Sequence, residues 1–403
     1  MNVVGIIAEY NPMHNGHIYN IKMAKELTKA DFAIVIMSGS FTEQGNISVV
    51  NKFDKAKLAI ENGADLVIEL PIIYAISSAE NFAFGAVNIL NSLGIVTHLA
   101  FGAESNNICT LNEIANTYLV NKEKIITNIQ DFSKQGINSG KAYSMAIAKY
   151  LNNGYNETDF TLPNNILGIE YLKALIRLKS QIKPVLVQRL NSSHNDKEIV
   201  NTSEFASSTS IRAVLSDDTL NSIEKLNKIS NSIPKNTYEY LKNNNYLLNE
   251  DLWQNLKYEI LKLNVLGLKE IQEVTEGLEN KLYSQALKCN SYNEYIFSIK
   301  SKRYTLSKIK RICIYILLGI TKEKYERLKT VNYARILKVK ESSKELLSYI
   351  TGNAKNSVIT KVTDDILDNL DAKISESIKL DILATNIHTS NNLDYTNKII
   401  QPW

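Results

Sequence analysis

Residues 3–17 read VVGIIAEYNPMHNGH. An apolar, β-branched run from Val3 to Ala8 meets polar Glu9, passes through a Pro- and Gly-containing turn, and opens onto a helical pattern from about Asn15 to Ala30. The alternation repeats. A strand-like FAIVIMSG (32–39) is followed by a helix over about 50–63, whose end fits Gly63, and by the strand-like DLVIELP (65–71). A helix from about Ser78 to Leu93 ends at Gly94, and IVTHLAFGAES (95–105) supplies a further strand and turn. Strand–helix alternation with continuously apolar strands predicts a parallel sheet covered by helices on both faces. A polar, turn-rich stretch from Leu151 to Pro163 reads as a loop, NNILGIEYLKALIRLK (164–179) as a helix and KPVLVQRL (183–190) as a strand. Beyond SSTSIRAVL (207–215) the spacing of Leu, Ile and Tyr is helical, with a strand signal at Arg335 to Lys340. The expected architecture is α/β: a doubly wound parallel sheet over residues 1–215, then a mainly helical domain over 216–403.

Composition narrows the function. The 403 residues suffice for two or three domains at roughly 150 residues each. Hydrophobic residues make up 44% and charged residues 22%, and the longest apolar run, Ile312 to Ile320, is too short to span a bilayer. No basic-then-apolar leader opens the sequence, so no membrane association and a cytoplasmic location are expected. Cys109, Cys289 and Cys313 are far apart and suggest neither a disulfide framework nor a zinc site. The net charge is +4, but between Lys300 and Lys344 fourteen Lys or Arg stand against three Glu. Such a segment suits an anionic partner.

Five histidines occur in the chain, and two of them, His14 and His17, are three residues apart at the opening of the first helix. Open parallel sheets bind ligands at the carboxyl ends of their strands, and helix N-termini favour phosphate. At i and i+3 the imidazoles share one helix face, where both can donate to one polyphosphate, and Gly16 removes a side chain where a nucleotide would come close. Attack on an α-phosphorus needs donors and positive charge around its oxygens and no covalent enzyme intermediate.

His14-Asn-Gly-His17 resembles the His-x-Gly-His motif of the HIGH-type nucleotidyltransferase superfamily, a HUP-like fold, and Ser207 to Arg212 (SSTSIR) resembles its late Ser-Ser-Thr-x-Ile-Arg motif. Read as plain sequence, Ser207 or Ser208 serves as an N-cap. GIIAEYNPMHNGH, MSGSF, GADLVIELP, LAFGAES, PNNILGIEYLKAL and SSTSIR together resemble the bacterial tRNA(Met) cytidine acetate ligase family. The resemblance implies an enzyme that activates acetate with ATP to acetyl-adenylate and then acetylates N4 of the wobble cytidine of elongator tRNA(Met). It carries the ATP-binding stretch onto Ile7, Ala8, Glu9, Tyr10, Asn11, Pro12, Met13, His14, Asn15, Gly16, His17, Ile18, Tyr19 and Asn20. Nucleotide contacts then fall on Gly102, Asn164 and Arg189, with Asn165 an alternative to Asn164. His14, His17, Ser208 and Arg212 are implied as the residues acting on phosphate, and Mg²⁺ is expected to arrive with ATP. After MSGSF the family pattern is Gln-Arg-Gly, whereas this chain has Glu43-Gln44-Gly45. Lys52 and Lys55 are the nearest substitute cations, although their spacing also fits a solvated helix face.

The stretch KSKRYTLSKIKRICIYILLGI (300–320) sets Lys300, Lys302, Arg303, Lys308, Lys310, Arg311 and Tyr304 against an apolar face of Ile309, Ile312, Ile316 and Leu317, as contact with a phosphate backbone would require. His98, His194 and His388 are read as structural. Two rival readings share these motifs: an adenylyltransferase of cofactor biosynthesis or an acetate ligase acting on a protein-bound prosthetic group, and a non-catalytic RNA-binding protein on an inert nucleotide fold.

Overall fold

A computed structural model of the chain describes residues 1–105, 107–137, 139–151, 160–189, 204–275 and 277–390. His194 and most of the loop expected over 151–163 lie outside them. The strands β1 (Val3–Ala8), β2 (Phe32–Ser38), β3 (Leu66–Leu70), β4 (His98–Ala103), β5 (Lys183–Gln188), β6 (Ala334–Val339) and β7 (Val358–Ile359) form one sheet in the order β5-β4-β1-β2-β3-β6-β7. All pairs are parallel except β3 with β6. The chain runs outward from β1 through β2 to β3, then returns to the other side of β1 for β4 and β5. A ligand crevice is expected where the order reverses, beyond the ends of β1 and β4.

Alternate strand residues enter two cores, one on each face. Val3, Ile34, Ile36, Leu66, Ile68, Leu99 and Phe101 enter the larger core, and Val4, Ile6, Ala33, Val35, Met37, Val67, Ala100 and Val187 the other. This explains why the strands read as unbroken apolar runs. Gly5 in β1 has a packing reason, because a Cβ there would lie 2.8 Å from the methyls of Leu90 on the helix Ala79–Ser92.

The helix α1 (Asn15–Thr28) leaves the sheet at β1 and closes on Lys29 in the left-handed region. The helix α2 (Lys52–Glu61) starts at Asn51, whose Oδ1 accepts the N–H groups of Phe53 and Asp54 at 3.0 and 3.1 Å.

The second half is mainly helical, and its one strand signal is occupied by β6, which pairs with β3 from Leu66↔Val339 to Glu69↔Arg335. The sheet therefore continues past the 215/216 division into residues from the helical half. An ion-pair group locks this seam: Glu69 Oε1 meets Lys52 Nζ at 2.6 Å and Glu69 Oε2 meets Arg335 Nη1 at 3.1 Å, all three side chains buried. Removing one partner of a buried pair strands a charge in a low-dielectric interior. Arg335→Met is expected to lower unfolding stability by about 3 kcal/mol, read by denaturant titration, against a change within about 0.5 kcal/mol for an exposed control such as Lys338→Met.

Candidate active site

A cavity of about 250 Å³ opens at the carboxyl ends of β1, β4 and β5. Its floor is the β1 exit through Asn11 together with Ala100, Phe101 and Gly102 of β4, and its walls come from α1, the helix Pro163–Arg177 and the helix Ser208–Leu215. It lies at the reversal of strand order. The start of α1 and the start of Ser208–Leu215 both face it, bringing the positive ends of two helix dipoles to one place.

His14 and His17 stack in the cavity wall with ring centroids 3.6 Å apart and 24° between planes. The Nδ1 of His17 accepts the backbone N–H of His14 at 3.2 Å. The pair therefore caps the helix and also faces the cavity. A neutral His17 with Nδ1 accepting must carry its proton on Nε2, which makes that atom a donor. Burial holds both rings neutral, taking His14 down to about 3 and His17 well below the usual range, with the charges of Arg189 and Arg212 adding to the effect at His14 and those of Arg189 and Lys55 at His17. His14 Nδ1 is buried and has no hydrogen-bond partner among the described residues. Tyr10, in the left-handed region at φ 48°, sets its ring edge-on to His17 with centroids 4.8 Å apart. Gly16 is needed for the imidazole itself, since a Cβ would approach His14 Cε1 to 3.0 Å.

Positive charge comes from elsewhere. Arg212 donates from Nη1 to the Asn11 carbonyl at 2.6 Å and from Nη2 to Thr209 Oγ1 at 3.3 Å. Arg189 donates to Asn164 Oδ1 at 3.3 Å, and Asn164 Nδ2 donates to Glu104 Oε1 at 2.6 Å. Gly102 leaves the floor open, because a Cβ there would already stand 3.4 Å from Arg189 Cγ. Ser207 is the N-cap of its helix, accepting the N–H of Ser210 at 3.1 Å, while Ser208 lines the cavity with its Oγ 3.5 Å from the Pro12 carbonyl.

Ile7, Ala8, Glu9, Tyr10, Asn11, His14, Gly16, His17, Tyr19, Asn20, Gly102, Asn164, Arg189, Ser208 and Arg212 all line the cavity. Pro12, Met13, Asn15 and Ile18 do not. Met13 is buried in the second core and Ile18 packs against that core. Asn15 instead ties α1 to the following half, its Nδ2 donating to the Glu204 and Asn231 carbonyls at 3.0 and 2.9 Å. Asn165 is also structural: its Oδ1 accepts the N–H groups of Glu104 and Ser105 at 3.0 and 2.9 Å.

Two expectations need correcting. Lys52 and Lys55 lie on no solvated face, being 0% and 1% exposed. Lys55 Nζ lies 2.7–2.9 Å from the carbonyls of Glu9, Ser38 and Gly39 and from Ser48 Oγ, pinning the β1 and β2 exits together. Burial draws it down to about 7 against the pull of Glu9 and Glu69. The basic stretch also divides. Lys300, Lys302 and Arg303 are exposed, whereas Arg311 and Tyr304 are buried, Arg311 meeting Glu273 at 3.2 Å and Glu43 at 3.8 Å.

Sequence reasoning missed Phe82, Phe101, Leu167 and Tyr171, which form an apolar wall; Glu43 and Gln44, read from sequence only as a departure from the family pattern, also line the cavity. It also missed Glu104, whose carboxylate holds Asn164. Tyr171 and Glu104 stand inside the quoted stretches PNNILGIEYLKAL and LAFGAES, so proximity to the motifs was the available signal. Burial lifts Glu43 to about 7, with Glu9 raising it further and Arg311 opposing.

A family model described as HIGH Nucleotidyl Transferase matches residues 1–401. Fold and site thus define a nucleotidyltransferase of the HIGH class. The chain is 38% identical over 401 residues to the tRNA(Met) cytidine acetate ligase of Thermoanaerobacter sp. (strain X514), covering 99% of this chain and 97% of that protein. It is also 38% identical over 401 residues to the enzyme of the same name from Clostridium perfringens (strain SM101 / Type A), covering 97% and 96%. The crystal structure of Thermotoga maritima TmcAL bound with alpha-thio ATP superposes with a TM-score of 0.87 at 30% identity, covering 97% of this chain and 95% of that one, and the apo form with 0.89. The chain belongs to the tRNA(Met) cytidine acetate ligase family.

The geometry predicts that neither His14 nor His17 takes up a proton between pH 8 and 5.5. Nitrogen-resolved NMR of the imidazoles should show two neutral rings, His17 in the Nε2–H form, over that whole range.

Proposed function

We propose that the protein is an ATP-dependent ligase that activates acetate as acetyl-adenylate and transfers the acetyl group to N4 of the wobble cytidine of elongator tRNA(Met). The observation that carries the reading is the convergence of two helix N-termini, a neutral imidazole pair and two arginines at the reversal point of a parallel sheet. Membership in the ligase family supports the substrate assignment, and the alpha-thio ATP named for the Thermotoga maritima structure supports a nucleotide at this site.

In this reading the adenosine lies over Gly102, where the missing side chain leaves room, flanked by Asn164 and Arg189. The triphosphate runs toward His14, His17, Ser208 and Arg212. The unsatisfied His14 Nδ1 and the Nε2–H of His17 fit a polar ligand at that point. Neutral imidazoles donate without holding pyrophosphate as tightly as imidazolium would, which favours its release. An acetate oxygen attacks the α-phosphorus, the bond to the bridging oxygen breaks, and pyrophosphate leaves. The cytosine amine then attacks the acetyl carbon, AMP departs with the bonding pair, and the amine loses a proton. No side chain forms a covalent bond, so the residues act by position and charge.

Mg²⁺ travels with ATP in this proposal, held by phosphate oxygens and water and neutralising charge on them. Among the described residues no three His, Cys, Asp or Glu side chains are grouped to hold a metal ion. The exposed Lys300, Lys302 and Arg303 lie at the approach to the helix Leu306–Leu317 and suit the tRNA backbone. Residues 1–215 thus carry the nucleotide site and 216–403 most of the RNA contact, in a cytoplasmic enzyme. No helix of the described residues is long and apolar enough to cross a membrane.

The test is ATP–pyrophosphate exchange with and without acetate, followed by mass spectrometry of nucleosides from elongator tRNA(Met) incubated with ATP and labelled acetate. Exchange should require acetate, and label should appear in N4-acetylcytidine. His17→Ala should cut the exchange rate by about 10²–10³-fold. Exchange indifferent to acetate would overturn the proposal.

A further inference from the structure

The cavity has two faces. In β1, Ile7 packs against the larger core, whereas Ile6 and Ala8 turn to the second core. Alternation along the strand carries the next residue, Glu9, to the Ile7 side. Gly102 faces the other way: a Cβ there would meet Arg189 and also Asn20 of α1, the helix that packs on the second core. The nucleotide residues Gly102 and Arg189 thus share a face with α1. On the larger-core face the cavity is lined by Phe82, Phe101 and Tyr171, with Leu167 packed beside them. The Phe101 and Tyr171 rings meet edge to face with centroids 5.6 Å apart.

Among the described residues, Glu9 and Glu43 are the carboxylates that line this cavity, in a site otherwise furnished with imidazoles, guanidinium groups and helix starts. A carboxylate repels polyphosphate, so its partner is a hydrogen-bond donor on some other part of a substrate. Glu43 faces Arg311 at 3.8 Å. Glu9 Oε1 accepts the Glu43 N–H at 2.6 Å, and Glu9 Oε2 has no hydrogen-bond partner among the described residues. The turn that carries Glu43 rests on the helix Leu306–Leu317: at Gly45, φ 73°, a Cβ would come within 2.5 Å of the Arg311 backbone nitrogen, and Asn46 Oδ1 accepts from Lys310 Nζ at 2.9 Å. The Glu9 side of the cavity therefore adjoins the half that carries the exposed Lys300, Lys302 and Arg303.

We infer that the larger-core half of the cavity is the subsite for the acceptor cytosine, its ring against Phe82, Phe101, Leu167 and Tyr171 and its N4 amine donating to Glu9 Oε2, and that Glu9 takes the amine proton during transfer. The inference rests on the ligase reading. A flat base with an exocyclic amine matches an apolar wall beside a carboxylate: splayed-out bases are held on aromatic and apolar side chains, and carboxylates accept from cytosine N4. In the transfer step the N4 lone pair bonds to the acetyl carbon, the bond from that carbon to the AMP oxygen breaks with its pair leaving on AMP, and the N4 proton passes to Glu9, which returns it to water. The amine lone pair is delocalised into the ring, so an aligned proton acceptor bears directly on this step. Burial lifts the Glu9 carboxyl above its ordinary value, with the Glu43 N–H, Lys55 and Arg212 opposing, and thereby favours proton uptake.

The experiment compares the full-length wild type with Glu9→Gln, which keeps an acceptor for the Glu43 N–H and sets an NH₂ group where Oε2 stood. Elongator tRNA(Met) carrying cytidine or uridine at the wobble position is titrated against each; uridine offers an acceptor in place of the N4 amine. Wild type should prefer cytidine by about tenfold, and Glu9→Gln, whose amide can serve either base, should hold the two within about twofold. Acetyl-adenylate formed on the enzyme is then offered tRNA or hydroxylamine, a strong nucleophile that needs no base. Glu9→Gln should slow transfer to tRNA by about 10²-fold, a loss at least about tenfold greater than its loss of acetohydroxamate formation. Leu167→Trp, which narrows the same half without altering Glu9, should weaken the cytidine tRNA more than ATP. No cytidine preference in wild type, the same preference in Glu9→Gln, equal losses to both nucleophiles, or a Leu167→Trp defect larger for ATP would overturn the inference. So would a Glu9→Gln defect confined to ATP affinity, which would place the carboxylate on the adenosine. Absence of acetate-dependent exchange in wild type would overturn the ligase reading alone, since the base preference needs no turnover.

Discussion

The hydrogen bond from the His14 backbone N–H to His17 Nδ1 organises the site. It closes the first turn of α1, selects the tautomer of His17, and holds the second ring against the first. A helix start at the end of a central parallel strand already offers a partial positive charge. The imidazole pair extends that field into the cavity without adding full charge, because burial keeps both rings neutral. Formal charge is left to Arg189 and Arg212, each anchored through a neutral oxygen: Asn164 Oδ1 for the first, the Asn11 carbonyl for the second.

Around this centre the buried polar groups act as fasteners. Lys55 draws the ends of β1 and β2 together, and Asn11 adds a second clamp, donating to the Ile47 carbonyl at 2.9 Å and accepting from Val49 N–H at 2.7 Å. His388, on the last helix, lies 2.7 Å through Nε2 from the Ser48 carbonyl and reaches the same loop from the far end of the chain. The cavity rim is thus supported from the sheet, from the helix Leu306–Leu317 and from the helix Ala372–Ser390. The helical half also closes onto the sheet through the pairing of β6 with β3.

Much of the sheet half was legible in the sequence because each strand there is a continuous apolar run bounded by a turn residue, and each helix has a polar face. The histidine spacing and SSTSIR were legible for the same reason: they are local. What escaped was set by distant contacts. Lys52 and Lys55 sit at a spacing that also fits a solvated face, and only the partners brought by β1, β2 and β3 show that they point inward. Arg311 belonged to a basic run, yet Glu43 and Glu273, hundreds and tens of residues away, draw it into the interior. Asn15 and Met13 fell within the nucleotide-binding stretch by position, while in the structure Asn15 bonds to the Glu204 and Asn231 carbonyls and Met13 packs in the core.

The most direct test of the central claim is a double-mutant cycle on ATP affinity with His14→Ala, His17→Ala and the double variant. Because the rings stack and one orients the other through the helix cap, the losses are expected to be strongly non-additive, with a coupling of about 1–3 kcal/mol. Two independent losses that sum to that of the double variant would contradict an imidazole pair working as one phosphate-facing unit.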